Sequence, residues 1–479
     1  MLVIAGQAVR GDEGDYEIRN PVRPGEVVHR APASSCRQLD AAVEAARAAA
    51  TEWSRTPLAE RIQLVVQASA AAEQVVEEQD LAPLLTREQG KVLQEAVFDV
   101  GLPAHLADVY RDLAPEALAP RRLVDDLGET EIEPVPWGVV GAILPFNWPV
   151  SLMATKVVPA LIAGNTAVAK PPPTCPAAML AVAAAMAAAL PAGVLNTVSG
   201  PGPELGRSMV GHPGIDLVSF TGGVPTGRAV LAAASARMAP AVLELGGNDP
   251  AILAPDVGVD EDLAGALVAA AFLTAGQVCM AVKRLYVPRD RVEEVTDALV
   301  AECERAVIGD GLAGEVTMGP LHTAAGRDRV EELVAEAEAE GATAYRCGGV
   351  RPEDAGAAGH LSRPTIVVGA PPGSRLVREE QFGPALPVMG YDDFDDVVTQ
   401  ANDTTFGLCA SVWSGDPGLA SDLARRLEAG TVFVNAHGMF AVDARAPFGG
   451  WKESGLGREL GPDGLLAFTR SRTLANRAL

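Results

Sequence analysis

At 479 residues the chain exceeds one ordinary domain, so two or three domains around a sizeable core are expected. With 48% hydrophobic and 21% charged residues it has the composition of a soluble globular protein. A formal net charge of −24, spread along the chain, argues against nucleic acid or an anionic membrane surface as partner.

The first twenty or so residues read as a short strand and turn, closing at Asn20-Pro-Val-Arg-Pro24-Gly25. Apolar positions then recur at helical spacing over 38–50, 61–79 and 82–109, the last run passing through Glu88-Gln-Gly90-Lys91. These helices read as scaffold, with no chemistry assigned. Thr130-Glu-Ile-Glu-Pro-Val-Pro136 alternates and contains prolines, as an extended edge or arm would. Residues 137–144 form a continuous apolar strand that stops abruptly at Pro145-Phe146-Asn147-Trp148-Pro149. A helix with Met153 and Lys156 follows, then the strand Thr166-Ala-Val-Ala-Lys170, closed by Pro171-Pro-Pro173. Residues 177–195 carry no charge, but they are mostly alanine and are interrupted by Pro191 and Gly193. That suits a buried helix better than a membrane span. A strand over 194–198 leads to Gly200-Pro-Gly202-Pro-Glu-Leu-Gly206, and another over 215–220 leads to Thr221-Gly222-Gly223 and a helix from about Pro225.

Strands alternating with helices in this way indicate parallel βαβ units in a doubly wound sheet, where ligands bind at the carboxyl ends of the strands. Asn147, Lys170, Gly202 and Gly222 all follow expected strands and so share that edge. Beyond residue 247 a second α/β region is expected, with helices over 261–273, 292–306 and 328–340 and strands over 284–287, 365–368, 386–389 and 430–435. Residues 465–473 read as a final extended segment.

The six cysteines, Cys36, Cys175, Cys279, Cys303, Cys347 and Cys409, are scattered without a CxxC pair, as reduced thiols of a cytoplasmic protein would be. The six histidines are equally dispersed, so no metal site is expected. The apolar run at residues 1–6 is too short for a signal peptide.

Several short stretches carry candidate chemistry, each beside a plainer reading. Cys279 lies in Thr274-Ala-Gly-Gln-Val-Cys279-Met-Ala-Val-Lys-Arg284, among small and apolar residues. A thiolate near cations is a nucleophile, while a buried thiol is commonly only a small hydrophobe; this stretch alone leaves both open. The glycine cluster at 200–206 is an off-length dinucleotide fingerprint or a turn. Phe220-Thr-Gly-Gly223 opens a helix, where a phosphate or an ordinary glycine turn would fit. Asn147 among apolar neighbours suits an oxyanion donor or a turn. Glu244 in an apolar strand suits a general base, its pKa raised by burial, or a solvent-facing strand end. Lysine is scarce: only Lys91, Lys156, Lys170, Lys283 and Lys452 occur, and four of them fall in these segments or in the glycine-rich segment near the C-terminus.

Taken together, the segments resemble the aldehyde dehydrogenase superfamily. The marks are Pro136-Trp-Gly-Val-Val-Gly with Pro145-Phe-Asn147-Trp-Pro, Lys170-Pro, Phe220-Thr-Gly-Gly, Glu244-Leu-Gly-Gly, Gly276-Gln-Val-Cys279, Glu380-Gln-Phe382-Gly-Pro384, Asn402-Asp-Thr-Thr-Phe406-Gly-Leu408 and Pro447-Phe-Gly-Gly-Trp-Lys-Glu-Ser-Gly-Leu-Gly-Arg-Glu459. They run through nearly the whole chain. The resemblance implies a Rossmann-like, doubly wound NAD(P)-binding domain at 1–117 and 136–246, an α/β catalytic domain at 247–446, and a bridging arm at 118–135 and 447–479. That arm would join a homodimer or homotetramer.

The resemblance also assigns roles. Cys279 is the nucleophile, Asn147 the oxyanion donor and Glu244 the base, with Lys156 and Glu459 behind it. Lys170 and Glu380 hold the two riboses. Leu144, Pro145, Phe146, Gly202, Phe220, Thr221, Gly222, Gly223, Thr226 and Leu245 line the nucleotide site, with Phe382 near the nicotinamide. Trp148, Val278, Met280, Phe440 and Phe448 line an apolar to aromatic substrate tunnel. Lys283 and Arg284 are expected to open the next strand, where they need not face the thiol.

The implied reaction is oxidation of a small-molecule aldehyde to its acid with NAD or NADP. Glu244 favours hydrolysis over the alternative of acyl transfer to coenzyme A, and the Asn, Glu and Cys set argues against a non-catalytic binding protein on the same fold. There are three departures from the family pattern: Pro173 where NAD-preferring relatives carry glutamate, which opens the site to NADP; Gly223 for serine; and Thr274 for asparagine.

Overall fold

A computed structural model describes residues 1–357 and 359–477. Two sheets carry the molecule, built from short apolar runs that alternate with helices covering both faces. In the first, Val139–Ile143, Thr166–Lys170, Leu195–Thr197, Leu217–Thr221 and Ala241–Glu244 are parallel and almost wholly buried. Across the sheet they run Ala241–Glu244, Leu217–Thr221, Val139–Ile143, Thr166–Lys170, Leu195–Thr197. The chain thus winds outward from Val139–Ile143 on one side and then returns to the other. This reversal opens a crevice between the carboxyl ends of Val139–Ile143 and Leu217–Thr221. Gly455–Leu456 pairs antiparallel with Ala241–Glu244 and closes that edge.

The second sheet runs Thr343–Arg346, Thr365–Val368, Ala385–Tyr391, Val282–Pro288, Asp249–Leu253, Cys409–Trp413, Thr431–Val434, parallel except for Thr343–Arg346. Three of its strands, Thr343–Arg346, Asp249–Leu253 and Cys409–Trp413, are absent from the sequence reading. The last two have only five residues each and are buried on both faces, so neither shows the alternation that marks a half-buried strand. The run Ala241-Val-Leu-Glu-Leu-Gly-Gly247 joins the two sheets, and this places Glu244 between them.

Three antiparallel strands, Arg121–Asp125, Gly128–Pro136 and Thr469–Arg477, form a separate small sheet. The final segment is not extended throughout: Gly461–Leu466 is a short helix. Pro462 at its start is pre-set for helical φ, a signal outweighed in the sequence by the flanking glycines. The helical run over 82–109 also breaks. Gly90, at φ +107°, ends Leu81–Gln89, and Leu93–Ala117 begins three residues later. The alanine-rich run is the helix Ala177–Ala188, largely buried in the first sheet's core. No helix among the described residues is long and apolar enough to cross a membrane.

Candidate active site

The crevice at the strand ends is a cavity of about 970 Å³. Leu144, Pro145 and Phe146 line it from the loop after Val139–Ile143, Lys170 from the end of its strand, and Gly202 from the glycine turn. Phe220, Thr221, Gly222, Gly223 and Thr226 line it around the start of the helix Val224–Ser235, together with Leu245, Glu380 and Phe382. Asn147 and Cys279 line the same cavity. Pro173, the departure noted in the sequence, also lines it, as do Pro203 and Arg207, which the sequence did not single out.

The walls suit a dinucleotide. Gly223 caps the helix Val224–Ser235 without a side-chain hydrogen bond, leaving the first-turn N–H groups to an anion. Lys170 is buried, its Nζ donates only to Pro171 O at 3.2 Å, and burial pushes its pKa down to about 8. Glu380 accepts from Gly247 N at 3.0 Å through Oε1, and burial raises it to about 7 against the pull of Lys283. Its approach needs Gly246, where a Cβ would stand 2.3 Å from Oε2. Phe382, at φ +50°, sets its ring edge-on to Phe146, 5.9 Å between centroids. Phe146 stacks in turn on His322 at 4.5 Å. His322 is held by Gln89 O and Thr174 Oγ1, and burial pushes its pKa down to about 4.

Cys279 follows a backbone that few residues adopt. Thr274, Ala275 and Gly276 are all left-handed, at φ +53°, +53° and +74°. A Cβ at Gly276 would lie 2.4 Å from Gly383 O, so this turn admits only glycine. Three carbonyls of this stretch are tied down. Gln277 Nε2 donates to Thr274 O at 3.0 Å, Lys283 Nζ to Gly276 O at 2.7 Å and Asn147 Nδ2 to Gln277 O at 3.0 Å. On the far side of the thiol, His437 Nε2 donates to Met280 O at 3.0 Å. Cys279 is partly exposed to the cavity. Burial first, then the carboxylates of Glu244, Glu380 and Asp249, push its thiol up, and Lys283 pulls the other way.

Glu244 is buried, and neither of its oxygens has a partner. Burial, then the neighbouring Glu459, hold its carboxyl well above the ordinary carboxylate range, while Lys156 and Arg458 oppose them. Lys156 and Glu459 form a buried ion pair. Phe448, buried, exchanges backbone hydrogen bonds of 2.7 Å with Glu459 and so fixes that carboxylate.

The expected tunnel residues divide. Trp148, Val278, Met280 and Phe448 belong to the buried core that Cys279 packs against. Phe440 is 63% exposed and meets Phe98 edge-on at 4.9 Å, and Phe98 meets Trp148 at 6.0 Å. An aromatic chain therefore runs from the surface to the residue beside Asn147, and its middle member, Phe98, was not anticipated.

The helices read as scaffold also carry site chemistry. Lys91 Nζ bonds Asp99 Oδ2 at 2.8 Å and lies 3.5 Å over the Trp148 ring. Asp99 Oδ1 accepts from Ser151 N at 2.7 Å, at the start of the helix Pro149–Ile162. Glu95 accepts from Thr274 N and Oγ1 at 2.9 and 3.1 Å. Glu88 accepts from Ala177 N and Ala178 N, and burial raises it to about 7. Glu88, Lys91, Glu95 and Asp99 recur three and four residues apart, so one polar stripe within an otherwise apolar face was the available signal.

Lys283 corrects the sequence reading. Arg284 does turn away from the thiol, and its guanidinium is spread over Asn248 O, Tyr286 Oη, Gln400 O and Ala401 O. Lys283, one residue earlier on the alternating strand Val282–Pro288, points the opposite way and reaches beneath the nucleophile loop.

The aldehyde dehydrogenase family model matches residues 8–474. The chain is 37% identical over 478 residues to a betaine aldehyde dehydrogenase of Bacillus subtilis (strain 168), covering 98% of this chain and 95% of that one. It is 36% identical over 485 residues to a phenylacetaldehyde dehydrogenase of Pseudomonas fluorescens, covering 99% and 95%. Its structure superposes on an E. coli NADP-dependent enzyme with a TM-score of 0.92 at 32% identity, covering 99% of this chain and 97% of that one.

Proposed function

The chain belongs to the aldehyde dehydrogenase family, and from that premise we propose that it oxidises an aldehyde to the carboxylic acid with NAD or NADP, using Cys279 as nucleophile and Glu244 as base. The observation that carries this reading is that Cys279 and Asn147 line the same cavity as the Gly222-Gly223 helix start, Lys170 and Glu380. A thiol, an amide donor and a dinucleotide cradle thus share one space.

The residues present fit the cofactor. Gly222, Gly223 and the amides behind them suit its pyrophosphate, and Lys170 and Glu380 offer a donor and an acceptor to ribose hydroxyls. When bound, the nicotinamide supplies the hydride acceptor for the step from aldehyde to acyl oxidation level.

The protein's own part begins with Cys279 Sγ, which as thiolate adds to the carbonyl carbon. The carbonyl π pair moves to oxygen, where the Asn147 amide and the Cys279 N–H stabilise it. Asn147 Nδ2 already donates one hydrogen to Gln277 O, which fixes the amide plane and leaves its second hydrogen for the substrate. At the thioester stage Glu244 takes a proton from water, the water oxygen attacks the acyl carbon, and Cys279 leaves as thiolate. The Lys156–Glu459 pair then acts through Glu244 by setting its field.

Phe98, Phe440 and Trp148 favour an apolar or aromatic aldehyde. Betaine aldehyde and phenylacetaldehyde dehydrogenases are about equally similar to the chain, so overall similarity does not select the substrate. Assembly as a homodimer or homotetramer through the small three-stranded sheet, in a reducing cytoplasm that keeps the cysteines free, completes the reading.

The test is absorbance of reduced nicotinamide with NAD and NADP across short aliphatic, long aliphatic and aromatic aldehydes. Full activity in Cys279→Ala would overturn the assignment. Free acid formed only on addition of coenzyme A would transfer the protein to the acylating branch.

A further inference from the structure

We propose that Lys283 is a positioning residue for the nucleophile, a buried ammonium that locks the left-handed turn before Cys279 and favours the thiolate over the thiol; this rests on the reading of Cys279 as the nucleophile. The side chain is 1% exposed, yet it donates a single hydrogen bond, 2.7 Å to Gly276 O. An ammonium has three donors, and a buried cation with one hydrogen-bond partner persists only where nearby charge compensates it. Burial pulls the ammonium's pKa down, Glu380 and Asp249 oppose that pull, and the Phe382 ring centroid lies 5.7 Å away.

One further contact of Lys283 and two of its neighbour Asp249 tie it to the rest of the site. The Lys283 carbonyl is bound by Gln381 Nε2 at 3.3 Å, one residue from Glu380 and one from Phe382. Asp249 accepts from Cys409 N at 3.2 Å through Oδ1, and its Oδ2 lies 3.5 Å from His437 Nε2, which is the donor to Met280 O. The ammonium thus sits beneath the chain entering the nucleophile and near the carboxylate expected to hold a ribose of the cofactor.

Three carboxyl groups act against ionisation of Cys279. Glu244 from the strand Ala241–Glu244, Glu380 from the loop before Ala385–Tyr391, and Asp249 from Asp249–Leu253 all oppose ionisation. Lys283 opposes them and favours ionisation. Without it, a nucleophile surrounded by three carboxylates would stay protonated.

The experiment reads thiol chemistry and not turnover. The intact protein, without aldehyde, is treated with iodoacetamide from about pH 6 to about pH 10, a range that brackets a free thiol, and alkylation is followed by mass spectrometry of the Cys279 peptide. Lys283→Met removes charge and anchor. Lys283→Gln keeps an N–H for Gly276 O and removes only the charge. In both variants the alkylation midpoint should rise by about one pH unit or more, with the rate near neutral pH falling about tenfold. Lys283→Gln should keep a thermal midpoint close to the parent, so the result does not depend on Lys283→Met folding. A folded Lys283→Gln whose profile superposes on the parent's would overturn the proposal. That outcome leaves the reaction reading intact, whereas an active Cys279→Ala removes the reaction reading without touching the alkylation profile.

Discussion

Glu244 sets the acid side of the pH dependence. Burial and Glu459 raise its pKa well above the ordinary carboxylate range, so it is neutral in acid and becomes a base only as pH rises through the raised value. Turnover should therefore fall as pH drops through a midpoint well above about 4.3, the value of a free glutamate, and Glu244→Gln should abolish that limb. The same variant should still form the thioester, giving a burst of reduced nicotinamide near one equivalent and an acylated Cys279 visible by mass. Lys156→Met removes a cation that opposes the shift and leaves Glu459 uncompensated, so the acid limb should move to higher pH. An unmoved limb would mean that a different group controls deacylation.

Pro173 belongs to the same scale. It lines the nucleotide cavity where a carboxylate would repel a 2′-phosphate, and Lys170 and Arg207 line that cavity too. Pro173→Glu should lower kcat/KM with NADP by about tenfold or more while leaving NAD within about twofold, since only the former brings a dianion to the new charge. Equal losses with both cofactors would show that the residue shapes the pocket instead of selecting by charge.

At the level of elements, the segment from Thr274 to Gly276 stores strain where the reaction is proposed. A β-branched threonine at φ +53° is disfavoured by roughly 1 kcal/mol or more, and asparagine is the non-glycine residue best suited to that conformation. Glu95 compensates by accepting from both Thr274 N and Oγ1. Thr274→Asn retains a donor for Glu95 and relieves the backbone, so the thermal midpoint should rise by a few degrees with activity kept. Glu95→Ala should lower both, because it leaves Thr274 N unpaired in a buried turn. A drop in stability for Thr274→Asn would place the cost in packing and not in φ.

This segment also marks where the sequence is informative and where it is silent. The order of strands and glycine turns follows from composition and punctuation, so the crevice and its lining residues Asn147, Lys170, Gly202 and Gly222 are legible from strand ends, while the rest of the lining is legible only through the family resemblance. The contacts that set the geometry are legible in neither. Glu95 lies 179 residues from Thr274 and Lys156 lies 303 from Glu459, and no local pattern records such pairs. Lys283 was read the wrong way because a basic pair at the head of a strand gives no indication of which member points inward. The strands Asp249–Leu253 and Cys409–Trp413 were missed for a related reason: burial on both faces erases the period that identifies a strand.

For the whole molecule, the small sheet of Arg121–Asp125, Gly128–Pro136 and Thr469–Arg477 is the part that does not explain itself. Its outer strand is exposed at every residue, with Val124 75% and Leu123 55% accessible and Leu127 and Leu474 about half so. A three-stranded antiparallel sheet needs an apolar face packed on something, and no helix among the described residues covers these side chains. Charge gives the same answer. The chain carries −24, so two copies repel over most of their surfaces, yet within these three strands five arginines face four carboxylates, and Asp126 in the turn between the first two brings the balance to neutral. Many of them pair within the sheet: Arg122 with Glu129 and Glu131, Arg472 with Glu133, Arg477 with Asp125. A neutral, apolar-tipped sheet on an acidic chain is the face on which a second copy can settle with least repulsion. Sedimentation velocity of the parent protein should therefore report a dimer or tetramer. Leu123→Glu combined with Val124→Lys should yield smaller species while preserving the thermal transition of the sheets that hold Cys279, since neither residue belongs to their cores. Because exposed edge pairs are screened by salt while apolar burial is not, the parent assembly should survive about 1 M salt, where the Debye length is roughly 3 Å. Dissociation under that condition would show that the ion pairs, and not Leu123 and Val124, hold the copies together.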